Sequence, residues 1–221
     1  MRSYSDQLDS AGTSMEEIVR CALQAAHPEP GLRWLDVGCG RGDLLRLIRD
    51  EWQPASLAGI DPIDWLADDL RGDVDFHRIA AEDAAGLAPA DRVLLVEAIE
   101  HLEAPWSALR AAARLVAPGG WLVVSTPNLV TLRTRLELAL RGNLTSFRPG
   151  YEPHISPALP HVTKRIVLEE GLSPEAPRYA GADVISFSKG RNWPERVRAR
   201  WPALMSVSIV IAAHRAERTA E

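Results

Sequence analysis

The stretch Trp34-Leu35-Asp36-Val37-Gly38-Cys39-Gly40-Arg41-Gly42-Asp43 narrows the fold more than any other part of the chain. An apolar-rich strand pattern runs into glycines at 38, 40 and 42, and a helical pattern follows from Asp43 to Glu51. Glycines let the backbone turn sharply and let a ligand lie close against it. A dinucleotide fingerprint would place its third glycine at position 43, which is Asp. An acid at a helix start also repels a pyrophosphate drawn to the positive end of the helix dipole. The turn therefore suits a nucleoside without phosphates, and a nicotinamide dehydrogenase is disfavoured.

The rest of the chain repeats the alternation. Strands are expected at Arg33 to Val37, Ser56 to Ile60, Val74 to Ile79, Val93 to Val96 and Trp121 to Ser125. Helices are expected at about Ser14 to Ala26, Asp43 to Glu51, Pro62 to Leu70 and Trp106 to Val116, the last ended by Ala117-Pro118-Gly119-Gly120. Such alternation implies a mostly parallel sheet with helices on both faces, a doubly wound α/β fold. Asn128 to Leu140 reads as a helix stopped by Gly142, and Thr163 as the cap of a helix reaching Glu170. Two late strands are expected at Ala182 to Phe187 and Leu204 to Ala213. The connection 143–160, rich in proline and aromatics, is long for a compact domain and reads as a lid over a substrate. Residues 1–221 read as one domain, with 1–13 loosely ordered.

The formal net charge of −5 leaves no global basic footprint for nucleic acid. Two cysteines, Cys21 and Cys39, are too few for a disulfide framework, and no apolar run approaches the roughly 20 residues of a membrane span. A cytoplasmic protein with no membrane partner is the expectation, with a homodimer left open.

Asp61 closes Gly59-Ile60-Asp61 about twenty residues past the glycine turn, where an acid hydrogen-bonds ribose hydroxyls. Asp83 follows the third strand, where an adenine edge would lie. With these features in place, the chain resembles the class I S-adenosylmethionine (SAM)-dependent methyltransferases. Leu35 to Gly42 is similar to their first motif, Gly59-Ile60-Asp61 to the acidic end of their second strand, and Ala117-Pro118-Gly119-Gly120-Trp121-Leu122 to the turn before their fifth. The resemblance implies a seven-stranded sheet with an antiparallel last strand. It also implies SAM contacts from Asp36, Gly38, Cys39, Gly40, Asp61, Pro62, Asp83, Ala84 and Glu97. Gly38 and Gly40 would approach the methionine part, Asp61 the ribose and Asp83 the adenine. Ala80 to Gly86 departs from the family's adenine-side motif.

The fourth strand ends in Glu97-Ala98-Ile99-Glu100-His101-Leu102. Ligands lie beyond the carboxyl ends of strands in open α/β sheets, so this cluster should border the transferred methyl. Its pattern resembles that of the ubiquinone-biosynthesis O-methyltransferases and of the small-RNA 2′-O-methyltransferases, and that likeness implies a divalent metal (magnesium, manganese or zinc). Glu97, Glu100, His101 and His154 are then candidate metal ligands. Glu100, His101 and His154 are the candidate catalytic residues, with His101 as a metal-free general base or as a loop-fixing side chain in the alternatives. Thr126-Pro127-Asn128 lies beside the substrate by resemblance, or Asn128 simply caps the next helix. Phe147, Tyr151 and Trp65 are candidate pocket walls, and Arg133, Arg135, Arg141 and Arg148 a solvated face or an anion-attracting one. The expected function is methylation of a hydroxyl on a small-molecule acceptor. The rival readings are a metal-dependent RNA 2′-O-methyltransferase and a non-catalytic SAM-binding accessory protein.

Overall fold

In the computed structural model, which describes residues 13–150, 153–183 and 191–217, the glycine turn follows β1 (Arg33–Val37), a strand buried over its last four residues. The helix α1 (Thr13–Ala25) precedes it, and α2 (Asp43–Trp52), β2 (Ser56–Ile60), β3 (Val74–His77) and β4 (Ala90–Leu95) follow. Next come α3 (Pro105–Arg114), β5 (Val116–Pro127), α4 (Leu132–Arg141) and α5 (Pro160–Glu169). The chain closes with β6 (Leu172–Pro174), β7 (Arg178–Ala182), α6 (Glu195–Arg200), α7 (Pro202–Met205) and β8 (Ser206–Arg215). The sheet order is β3-β2-β1-β4-β5-β8-β6, with β7 also on β8. The first five strands pair in parallel, and β8 runs antiparallel to β5. β6 pairs with the end of β8 and β7 with its start, so eight strands fill seven positions.

Alternation along each strand sends neighbouring side chains to opposite faces. Leu35, Val93, Leu122 and Val124 pack against Ala108, Leu109 and Ala112 of α3 and Val167 of α5. Trp34, Leu94, Val123 and Val210 pack against Ile18, Ala22 and Leu23 of α1 and Leu44, Leu45 and Ile48 of α2. These two cores make the sheet doubly wound. The chain leaves β1 toward β2 and returns to β4 on β1's other side, which opens a crevice at the carboxyl ends of β1 and β4.

Several expected elements differ in the structure. The helix expected over Pro62 to Leu70 is reduced to a short 3-10 turn at Asp68–Leu70. The Asp61 carboxylate accepts the Ile63 N–H at 2.9 Å as a helix cap would, but the Ala67 N–H bonds the Arg41 carbonyl of the glycine loop at 3.2 Å in place of an intrahelical partner. Ala117-Pro118-Gly119-Gly120, expected as a turn between the helix and a strand from Trp121, lies inside β5, where a register shift between Ala90 and Arg92 absorbs it. The fourth helix begins at Leu132, capped by Thr131, whose hydroxyl accepts the Thr134 N–H. Asn128 is no cap: its amide donates to the carbonyls of Ala203 and Ser206 at 2.8 and 2.9 Å, which ties β5 to α7 and β8. Thr163 lies inside α5, which starts at Pro160 because proline suits the first helical position. β6 was not anticipated, and β7 ends where the expected strand begins; the remainder of that expectation, 184–187, lies outside the described residues, as do residues 1–12 and Tyr151.

Candidate functional site

Gly38 opens the site. Its φ is +82°, and a Cβ added there would stand 2.8 Å from the Ala98 Cβ beyond β4. The two strand ends are thus as close as backbone allows, and only glycine fits. Gly42, at the same φ, faces Leu66 and Leu70 at distances a Cβ could not tolerate, which seats the 62–70 segment on the loop. Gly40 donates its N–H to Asp61 Oδ2 at 3.1 Å, so the acid at the end of β2 braces the glycine loop as well as facing the crevice. Burial raises the Asp61 pKa against the opposing bonds from Ile63 and Gly40. Asp36, one residue before the end of β1, is 4% exposed, and burial, then the charge of Asp61, pushes its pKa up to about 7. Cys39 is buried and its thiol pKa is raised, first by burial and then by Asp36 and Asp61, so it is a filler packed beneath the loop and not a thiolate. Pro62 and Asp83 are exposed, while Ala84 lies in the core under the third strand end.

The reacting end is built from three strand ends. Glu97 has a left-handed φ of 49°, an uncommon conformation for a residue with a side chain. The Ser125 hydroxyl of β5 fixes that backbone: it accepts the Glu97 N–H at 2.9 Å and lies 2.7 Å from Glu97 Oε1. Ser208 of β8 donates to the same Oε1 at 2.7 Å. Burial raises the Glu97 pKa against these two bonds. Ser208 is a site residue that the sequence reading missed; its only signal was a hydroxyl inside the apolar run Val207 to Ala213.

Glu100 lies on the 3-10 turn Ile99–His101 and is wholly buried. Neither of its carboxylate oxygens has a hydrogen-bond partner, and burial, followed by the charge of Glu97, raises its pKa well above the ordinary value. Its backbone carbonyl accepts the N–H groups of Ile155 and Ser156 at 2.9 and 3.0 Å, which docks the 153–156 segment over the turn. His101 Nδ1 lies 2.7 Å from the Pro153 carbonyl, so the neutral ring carries its proton there and leaves Nε2 as a lone pair. Burial lowers the His101 pKa. The His154 ring stands edge-on to it with centroids 4.8 Å apart, and burial, then the neighbouring His101, lowers its pKa to about 4. Donor atoms of Glu100, His101 and His154 lie within 4.8 Å of one another. Glu97 stands apart from this trio, its Oε1 taken by the two serines.

Of the remaining candidates, Phe147 packs on His154 at 5.4 Å between centroids, and Trp65 is half exposed. Arg141 approaches Glu137 and Arg135 bonds the Val130 carbonyl on an exposed face, whereas Arg133 is half-buried and approaches Glu137 and the buried Asp183.

A family model described as a methyltransferase domain matches residues 12–162. The ubiquinone biosynthesis O-methyltransferase of Thiobacillus denitrificans is 37% identical over 110 residues, 46% of this chain and 47% of that protein. The chain spans about half the length of the curated relatives it matches. Among solved structures, a SAM-dependent methyltransferase from Archaeoglobus fulgidus superposes with a TM-score of 0.64 at 19% identity, covering 96% of this chain and 99% of that one. The N-methyltransferase NodS of Bradyrhizobium japonicum, complexed with S-adenosyl-L-homocysteine, gives 0.63 at 14% identity over 96% and 91%. Both share the fold.

Proposed function

Since the chain belongs to the SAM-dependent methyltransferase family, we propose that it methylates a hydroxyl oxygen of a small molecule, with a divalent cation held by Glu100, His101 and His154. The observation that carries the reading is Glu100: a carboxylate sealed from water with both oxygens unpartnered, beside two imidazoles whose lowered pKa values keep them neutral. An isolated buried carboxylate is costly unless it is neutralised or meets a cation. Two imidazole nitrogens and one carboxylate suit zinc or manganese better than magnesium, which prefers an all-oxygen shell.

SAM supplies an electrophilic methyl group when bound. Gly38, Cys39 and Gly40 then border its methionine part, Asp36 and Glu97 lie beside them, Asp61 and Pro62 face the ribose, and Asp83 and Ala84 the adenine. A cation at the trio would lower the pKa of the acceptor hydroxyl. The Nδ1 bond to Pro153 aims His101 Nε2 as one donor to that cation; where no cation is held, the same lone pair is the base for the acceptor's proton. The segment 153–156, pinned to Glu100 and Leu102, excludes water above the reacting oxygen.

The test is calorimetric titration of zinc and of manganese into metal-stripped protein. One equivalent bound by the native chain and lost in Glu100→Gln and His154→Ala supports the reading. Unchanged binding in both variants, or none in the native chain, refutes the metal-assisted route.

A further inference from the structure

Glu97 is a carboxylate that no cation of the chain answers. It is the second residue past β4, and the next residue, Ala98, lies against Gly38, where an added Cβ would come within 2.8 Å. Glu97 therefore stands at the rim of the crevice, beside the turn after β1. Its φ of +49° is costly for a residue with a side chain and persists only where the surroundings hold it. The holders are two hydroxyls. Ser125 accepts the Glu97 N–H at 2.9 Å and donates to Oε1 at 2.7 Å, and Ser208 donates to the same oxygen at 2.7 Å. Both serines are buried in the sheet, on the face of Val123 and Val210.

Oε1 thus points inward and is saturated. Oε2 has no hydrogen-bond partner among the described residues and is reached by solvent, whereas both oxygens of Glu100 are enclosed. With Oε1 turned into the sheet, the open side of Oε2 is the crevice. Among the described residues no lysine or arginine pairs with Glu97, and burial, which raises its pKa, is opposed by the two hydroxyls alone. A carboxylate clamped on one oxygen and open on the other is arranged for a cation that the ligand brings.

SAM carries such a cation at its reacting atom. Its sulfur is a sulfonium, whereas that of the product, S-adenosyl-L-homocysteine (SAH), is a neutral thioether. Transfer breaks the S–CH3 bond, leaves the bonding pair on sulfur and forms the O–CH3 bond at the acceptor, whose proton goes to the base. The positive charge at sulfur is lost in that step.

We propose that Glu97 Oε2 faces the sulfonium and is the residue by which the site favours SAM over SAH. The assignment rests on the SAM-binding reading and adds a specificity device to it. Ser125 and Ser208 fix a charge whose attraction lapses once the methyl has moved, which promotes exchange of product for fresh donor.

The test is calorimetric titration of the full chain, in EDTA, with SAM, with SAH and with sinefungin, whose C–NH3+ replaces the sulfonium. The variant is Glu97→Gln, an isostere whose amide oxygen still accepts from Ser125 and Ser208. In the variant the ratio Kd(SAH)/Kd(SAM) should fall about ten-fold, and Kd(SAH)/Kd(sinefungin) likewise, a modest share of the attraction between opposite charges a few ångström apart at a half-solvated site. SAH affinity itself should stay nearly constant. Unchanged ratios overturn the assignment. So does an equal loss of all three ligands by a folded variant, the mark of a structural role or of a contact with the α-ammonium that they share. If Glu97→Gln does not fold, Ser208→Ala carries the test: loss of one clamping hydroxyl should lower both ratios about two-fold, and unchanged ratios overturn the assignment. If the native chain binds SAM but the ratios do not move, only the role of Glu97 falls. If the native chain binds none of the three, the SAM-binding reading falls and takes this role with it.

Discussion

Replacing Asp36 by Asn should make the ligand-free protein more stable, and more so as pH rises. Asp36 is buried, and its folded pKa of about 7 lies far above the value of about 3.9 for a free aspartate. The unfolded chain releases this proton near pH 4, while the folded chain keeps it until near pH 7. Stability is therefore intact below the unfolded value and falls by about 1.4 kcal/mol for each pH unit between the two, then levels. The native chain at pH 8 thus lacks about 4 kcal/mol that an uncharged isostere keeps. Asparagine carries its own desolvation cost of about 1–3 kcal/mol if its amide finds no partner, but that cost does not vary with pH. The diagnostic is therefore the slope. Urea unfolding at pH 5, 6, 7 and 8 should show the variant gaining on the native chain by close to 3 kcal/mol across the series. A difference that is flat or shrinks with pH would refute the reasoning.

Gly38→Ala should cost at least about 2 kcal/mol of stability and weaken SAM binding, because the position needs both a left-handed φ and the space now filled by the Ala98 contact; thermal melts with and without SAM check both. Ser208→Ala removes one of the two hydroxyls on Glu97 Oε1, so a stability loss of about 1–2 kcal/mol is expected with metal affinity unchanged, since Glu97 stands outside the trio. Asn128→Ala leaves the Ala203 and Ser206 carbonyls without their donor and should cost about 2–4 kcal/mol, read by urea unfolding. Metal binding near neutral pH should release a proton from Glu100 and none from His154, whose ring is neutral above about pH 4; calorimetry in buffers of different ionisation enthalpy measures it.

The parts of the fold that the sequence made legible are those where backbone chemistry leaves a residue-level mark. Gly38 and Gly42 sit at left-handed φ, so the turn after β1 could be placed from composition alone. Apolar runs such as Val93 to Val96 marked strands buried on both faces. The helix expected over Pro62 to Leu70 gives way to turns in which the Ala67 N–H bonds the Arg41 carbonyl, a contact between separate segments that local propensity does not show. β6 and β7 are too short and too mixed to show a period, and their place is set by the long β8 they flank. The trio of Glu100, His101 and His154 was suggested by a motif, but its closeness depends on the docking of 153–156 onto Glu100, a contact between segments some fifty residues apart. The diversion of Glu97 to Ser125 and Ser208 was hidden for the same reason, since Ser208 is 111 positions away.

The most direct test of the central claim is calorimetric titration of SAM into the purified chain, in parallel with Asp61→Ala. The account predicts one-to-one binding by the native chain and a marked loss in the variant, because Asp61 braces Gly40 and is the acid proposed to meet the ribose. Absence of SAM binding by a folded native chain, or binding indifferent to Asp61, would contradict it.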